Sequence, residues 1–166
     1  MLKLQQLEAA SFGEFGLVLR RGEGATKSIR GGTVVLTKTP AAFQHDESAV
    51  DLALDFYEVA PEGGSVRLLQ AERHVHSSQM FVPMAVDRYL VVVWDDDPRS
   101  GGKPSAFLGG PDDVVVYYPG VWHHGIMALG GQALLASTMW RTRGGSDVEF
   151  VDLPSPLEIL DLEIEH

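Results

Sequence analysis

From Gly32 to Leu153 the chain is a succession of short β-type runs, each stopped by glycine, proline or aspartate. The runs read GTVVLTK, DLALDFYEV, SVRLLQAER, QMFVPM, RYLVVVW, SAFLGG, DVVVYYP, QALLASTMW and DVEFVDL, with breakers such as PEGG, DDDPRSGGKP, GGPDD and TRGGSD between them. Valine and aromatic residues suit a pleated backbone, and close turn signals indicate an all-β sandwich or barrel. No periodic helical pattern of about 12 residues separates the runs, which argues against a parallel sheet with helical crossovers. One short helix is expected in QQLEAASFGEFG, from Leu7, Ala10 and Phe15 and the glycines that close it. Arg20 to Arg30 reads as a surface loop. The tail SPLEILDLEIEH fits a helix through Leu157, Leu160 and Ile164, or a strand over Leu162 to Glu165.

A chain of 166 residues with 45% hydrophobic content can bury a real core, and one domain over residues 1–166 is expected. The formal charge of −10 repels phosphate backbones, so a nucleic-acid partner is not expected. Without cysteine, disulfides, thiolate nucleophiles and Cys-type zinc sites are excluded. The longest wholly apolar stretch, Tyr89 to Trp94, is six residues against about 20 for a membrane span, and MLKLQQLEAA does not resemble a secretory signal. A soluble, cytoplasmic protein without a membrane partner is the expectation.

The chemistry-bearing residues gather in two places. His74 and His76 form an HxH at the end of SVRLLQAER, and His123 and His124 follow Trp122 after the Pro119–Gly120 turn. If the strand runs on from Val66, then Val66, Leu68, Gln70, Glu72, His74 and His76 share one parity, opposite Arg67, Leu69, Ala71 and Arg73. Two imidazoles at i and i+2 can grip one divalent cation, and a carboxylate beside them can complete or orient the site. The set His74, His76 and His123 is the expected metal group, for Ni, Zn, Mn or Fe, with no organic cofactor. Each cluster alone also reads as surface or core histidines, and adjacent His123 and His124 cannot easily enter one cavity together. Asp95 to Asp97, beside Pro98, reads as a solvated turn; His45 and His166 read as surface residues.

A β-barrel with HxH on one strand and a later P-G-x-x-H resembles the cupin superfamily, whose two motifs line one metal pocket. The usual glutamate after the second histidine would fall on Met80 or Phe81, with Gln79 the nearest polar residue. A closer resemblance lies in ERHVHSSQMFVPM followed by GVWHH, which is similar to the ureidoglycolate lyase family pattern E-R-H-x-x-x-[ST]-Q-x-F-[IV]-P-[ML] and x-V-W-H-H. Glu72, Arg73, His74, Ser78, Gln79, Phe81, Pro83, Trp122, His123 and His124 hold the matching positions. The opening helix and RGGSD near the C-terminus resemble weaker flanking features of the family.

This resemblance implies a cupin-type double-stranded β-helix (jelly-roll) barrel with one short N-terminal helix, acting as a homodimer on ureidoglycolate in purine (allantoin) breakdown. The products would be glyoxylate and urea, by a lyase reaction that needs a base, a proton donor and a holder for the carboxylate. The expected catalytic residues are Glu72, His74, His123 and Gln79, with Arg73, Tyr117, Trp122 and His124 as substrate-binding residues. Parity puts Arg73 on the face opposite His74, which favours a structural role for it. The chain departs from the family pattern at His76, at Gly125 after WHH, at Glu58 in FYEVAP and at Trp140, where Arg141 or Arg143 supplies the nearby arginine. Those departures keep two alternatives open: a metal-dependent cupin enzyme for another small hydroxy or sugar acid, and a non-catalytic cupin that binds a small molecule.

Overall fold

The computed structural model describes residues 2–39 and 43–159. In chain order, β1 (Leu4–Gln6) is followed by one helical turn, α1 (Ala9–Phe12), then β2 (Gly16–Leu19), β3 (Ala25–Ile29), β4 (Val34–Lys38) and the long β5 (Ala49–Val59). β6 (Val66–Arg73), β7 (Gln79–Ala85), β8 (Arg88–Trp94), β9 (Pro104–Gly109) and β10 (Val114–Tyr117) make the middle of the fold. The short β11 (Trp122–His123) and β12 (Met127–Leu129) precede β13 (Ala133–Thr142) and β14 (Glu149–Ile159).

The first sheet has the order β1-β9-β8-β11-β6-β14, with β12 also on β8, and the second has the order β2-β10-β7-β13-β5. β5 to β8 cross between the sheets at every step, and β13 to β14 crosses again. This is the all-β, cupin-type double-stranded β-helix that the short runs and breakers anticipate, with one short N-terminal helix.

β8 shows why its sequence is unbroken. Tyr89, Val91 and Val93 enter the cluster between the sheets, whereas Leu90, Val92 and Trp94 enter a second cluster on the outer side of the first sheet. Both faces are covered, so apolar residues occupy every position. Each such side chain contributes roughly 1.5–3 kcal/mol by burial. The outer cluster is closed by Leu2, Leu4, Leu153 and Leu157. At Gly16 a Cβ would lie 1.8 Å from the Val116 carbonyl oxygen, so only glycine lets β2 pair with β10 there.

Three sequence expectations need correction. Arg20 to Arg30 is not all loop, because Ala25–Ile29 pairs with β4 as a two-stranded hairpin. Its side chains are largely exposed, so no apolar alternation marks the strand. Leu157 lies on a strand and not a helix, in an edge strand that carries Pro154 and Pro156. Prolines are tolerated there because an edge needs fewer ladder donors. Leu160, Leu162 to Glu165, Ile164 and His166 lie outside the described residues.

The third concerns β6. Val66 and Leu68 share the outer cluster with Ala71, not with Glu72. Leu69 and Gln70 are both exposed, so burial changes parity there, where the β14 register jumps from Asp152 to Leu157. Beyond that point Ala71 faces out and Glu72 faces in.

Candidate active site and metal centre

Glu72 and His123 are directly paired across β6 and β11, and His123 pairs with Val93 of β8 on its other side. Paired residues point to the same face, so both side chains enter the space between the sheets. The Glu72 Oε1 to His123 Nε2 distance is 3.6 Å. His74 follows the end of β6, and its ring centre lies 5.4 Å from that of His123. The two histidine motifs are tied through the backbone, since Gly120 N–H donates to the His74 carbonyl at 2.8 Å. Gly120 holds φ +82°, a left-handed conformation suited to glycine, so the Pro119–Gly120 turn brings the second histidine segment to the first.

Each buried imidazole is fixed by a carbonyl, which can only accept. His74 Nδ1–H donates to the Asp147 carbonyl and His123 Nδ1–H to that of Val121, both at 2.9 Å. The neutral rings then present Nε2 lone pairs to the cavity, and both Nε2 atoms are buried without a partner. Asp147 is itself anchored, because its carboxylate accepts from Thr142 N–H and Oγ1–H. Donor atoms of Glu72, His74 and His123 all lie within 4.8 Å of one another. Two unpartnered imidazole nitrogens beside one carboxylate are a donor set suited to a divalent transition cation.

Electrostatics agree with that arrangement. Burial and the neighbouring His123 hold the His74 pKa below its usual value, against the Asp147 carbonyl. For Glu72, burial acts upward, but contact with His123 and the charges of His123, His74 and His124 leave its pKa lowered. A neutral His74 and an ionised Glu72 are the states a cation requires.

The second sheet supplies the facing wall. Tyr117 stacks on His123 with centroids 4.2 Å apart and planes 14° apart. Its neighbour across the ladder is Gln79. Tyr117 Oη and Gln79 Oε1 are buried and unpartnered. They join the two histidine Nε2 atoms as the four buried side-chain polar atoms without a partner among the described residues. Leaving such an atom unpaired costs about 1–3 kcal/mol, so four in one place mark a site made for a polar ligand. Tyr57 of β5 also reaches this wall, beside Gln79, and was not anticipated. Its signal was present in the parity of β5, where Ala53, Asp55 and Tyr57 alternate with outward Leu52, Leu54 and Phe56.

Glu72, His74 and His123 therefore cluster between the sheets, with Tyr117 stacked on His123 and Gln79 beside Tyr117 on the facing sheet, and four other expected site residues lie elsewhere. His76 is not grouped with His74, because the strand ends at Arg73 and a bend intervenes; its Nδ1 meets the Asp46 carboxylate at 2.7 Å near the surface. Arg73 lies on the outer face, bonded to Glu149 at 2.7 Å and 4.4 Å above the Trp122 ring, in the structural role that parity favours. Trp122 is buried in the outer cluster with Trp94, its ladder partner. His124 faces a shallow groove with Gln70, Gly125 and Phe150, which shares only Glu72 with the cluster. Asp95 to Asp97 form the expected turn, with the Asp97 carboxylate accepting from Arg99 N–H.

Among known proteins, a sequence model described as ureidoglycolate lyase matches residues 1–160. A Rhizobium etli protein named ureidoglycolate lyase is 31% identical over 158 residues, 95% of each chain. One of the same name from Rhizobium leguminosarum is 32% identical over 129 residues, 78% of each chain. Among solved structures, a dTDP sugar isomerase from Desulfovibrio desulfuricans is 21% identical with a TM-score of 0.49, covering 84% of this chain and 89% of its own.

Proposed function

The chain belongs to the ureidoglycolate lyase family, and from that premise we infer that it is a lyase that splits ureidoglycolate into glyoxylate and urea. The pathway that this reaction serves is purine (allantoin) breakdown. The observation that carries the reading at the level of the site is the cluster of Glu72, His74 and His123, whose two Nε2 atoms are buried without a partner, as are Tyr117 Oη and Gln79 Oε1. The reacting carbon of ureidoglycolate bears a hydroxyl, a carboxylate and a ureido nitrogen. Cleavage moves one proton from the hydroxyl to that nitrogen, forms the C=O bond and breaks the C–N bond.

His74 and His123 would hold a divalent cation through Nε2, with Glu72 completing the set. When bound, such a cation supplies positive charge for the substrate carboxylate and acidifies the hydroxyl. Glu72, ionised and partly exposed, accepts the hydroxyl proton and returns it to the leaving nitrogen. Tyr117 keeps the His123 ring in place by stacking, and its O–H donates to a substrate oxygen. Gln79 accepts from a substrate N–H. Near the cavity, Arg141 is already paired with Asp55. In a chain of charge −10, a bound cation is thus the natural partner for an anionic substrate.

We also propose a cytoplasmic homodimer. Support comes from the second sheet, where Leu52, Leu54 and Phe56 of β5 and Met84 of β7, two strands that flank β13, are each more than half exposed. A bare apolar sheet face of this kind marks a contact surface. Among the described residues no helix is long and apolar enough to cross a membrane.

The test is to incubate the purified protein with racemic ureidoglycolate, with and without chelator, and follow both products. Urea and glyoxylate should appear in equal amounts, and the chelator should stop both until cation is restored. Glyoxylate at the spontaneous rate in every sample would remove the assignment.

A further inference from the structure

The proposed cleavage leaves open which residues receive the ureido half of the substrate, and their assignment rests on that cleavage. Tyr57 lies on β5, the edge strand of the second sheet. Its backbone pairs with Leu135, a buried member of the inner cluster, and its ring meets that of Phe81 edge-on with centroids 5.1 Å apart. These contacts turn the ring inward, although the residue is 37% exposed. The hydroxyl lies beside the Gln79 amide and in the field of Glu72 across the cavity. Gln79 is only 3% exposed, and its Oε1 has no partner.

The pair thus offers a phenol O–H, which donates, next to an amide oxygen, which accepts. A ureido group displays the complement, a carbonyl oxygen and N–H groups on one planar edge. A carboxylate displays acceptors alone and would leave the Gln79 oxygen unsatisfied. The geometry points to Tyr57 as a specificity-determining residue: its O–H donates to the ureido carbonyl, Gln79 Oε1 accepts from the ureido N–H, and the carboxylate is left to the histidine side.

The test compares wild type, Tyr57→Phe and Gln79→Leu in turnover of ureidoglycolate and in product inhibition by urea and by glyoxylate. Losing one neutral hydrogen bond should weaken urea inhibition and raise KM about threefold to tenfold in either variant. Glyoxylate inhibition should change less than about twofold, since no bond to it is removed. Equal weakening of both inhibitors would signal a general disturbance and overturn the assignment, as would urea inhibition untouched by either substitution. If wild type releases no urea from ureidoglycolate, the reaction itself falls. An NMR titration with urea alone then decides the point for Tyr57: shifts lost in Tyr57→Phe uphold it, and shifts absent in wild type or retained in Tyr57→Phe overturn it.

Discussion

The two walls of the cavity are built from different chemistry. On the first sheet stand Glu72, His74 and His123, three groups that change charge or bind cations. On the second stand Tyr57, Gln79 and Tyr117, which stay neutral; burial raises both tyrosine pKa values above the ordinary one. Because the strands cross between sheets, residues close in sequence are sent to opposite walls: His74, just past the end of β6, joins the group on the first sheet, and Gln79 opens β7 in the second. Under the proposed mechanism the difference leads to an expectation: substitutions on the first wall should alter cation binding and proton transfer, and substitutions on the second should alter mainly substrate binding.

The largest effect should come from the first wall. His123→Ala removes a buried nitrogen that faces both Glu72 and His74, so cation content should fall to background. The proposed proton transfer also needs an intact donor set, so kcat should drop by about 10²–10⁴. Metal analysis and steady-state kinetics check this; a fully loaded, fully active variant would break the division. On the second wall, Tyr117→Phe deletes a hydroxyl that no protein atom satisfies. Stability should hold or rise by a few tenths to about 1 kcal/mol, while kcat/KM falls roughly tenfold and cation content stays whole. Thermal melting, kinetics and metal analysis together separate those outcomes.

Outside both walls the effects should be smaller and structural. Arg73→Ala removes a cation–π contact with Trp122 and a half-exposed ion pair with Glu149. About 1 kcal/mol of stability should be lost with kcat within about twofold, read by chemical denaturation and kinetics. His76→Ala should leave cation content and kcat unchanged. A hydrogen bond to His76 holds the Asp46 pKa below the usual value. That contribution is present above the pKa of an unfolded aspartate and is lost as pH falls through the lowered folded value. Acid-unfolding curves of His76→Ala and wild type should therefore differ slightly near neutrality and converge at low pH.

Much of this was legible in the sequence. The nine runs all became strands, because valine-rich segments between turn residues have few other options in a chain without long helical periodicity. The pairing of His74 with His123 was legible through the resemblance of the two histidine motifs to those of cupins and of the ureidoglycolate lyase family. The failure at His76 is local: alternation predicts faces only while the strand continues, and β6 ends at Arg73. Trp122 and Arg73 entered the expected site through the family resemblance, whereas alternation already favoured a structural role for Arg73, and both lie on the outer face. Tyr57 escaped notice because its cavity partners come from distant strands, β6 and β7. The Asp147 carbonyl escaped notice because a backbone acceptor leaves no trace in residue type, although RGGSD was visible.

The change of face at Leu69 and Gln70 divides β6 into two stretches that answer to different demands. Upstream residues are held to shape and hydrophobicity, and downstream residues to reactivity. The β14 detour between Asp152 and Leu157 absorbs the mismatch, so the outward upstream residues and the inward Glu72 coexist on one strand. A pattern-based comparison that assumes unbroken alternation through this point would assign the carboxylate to the wrong side.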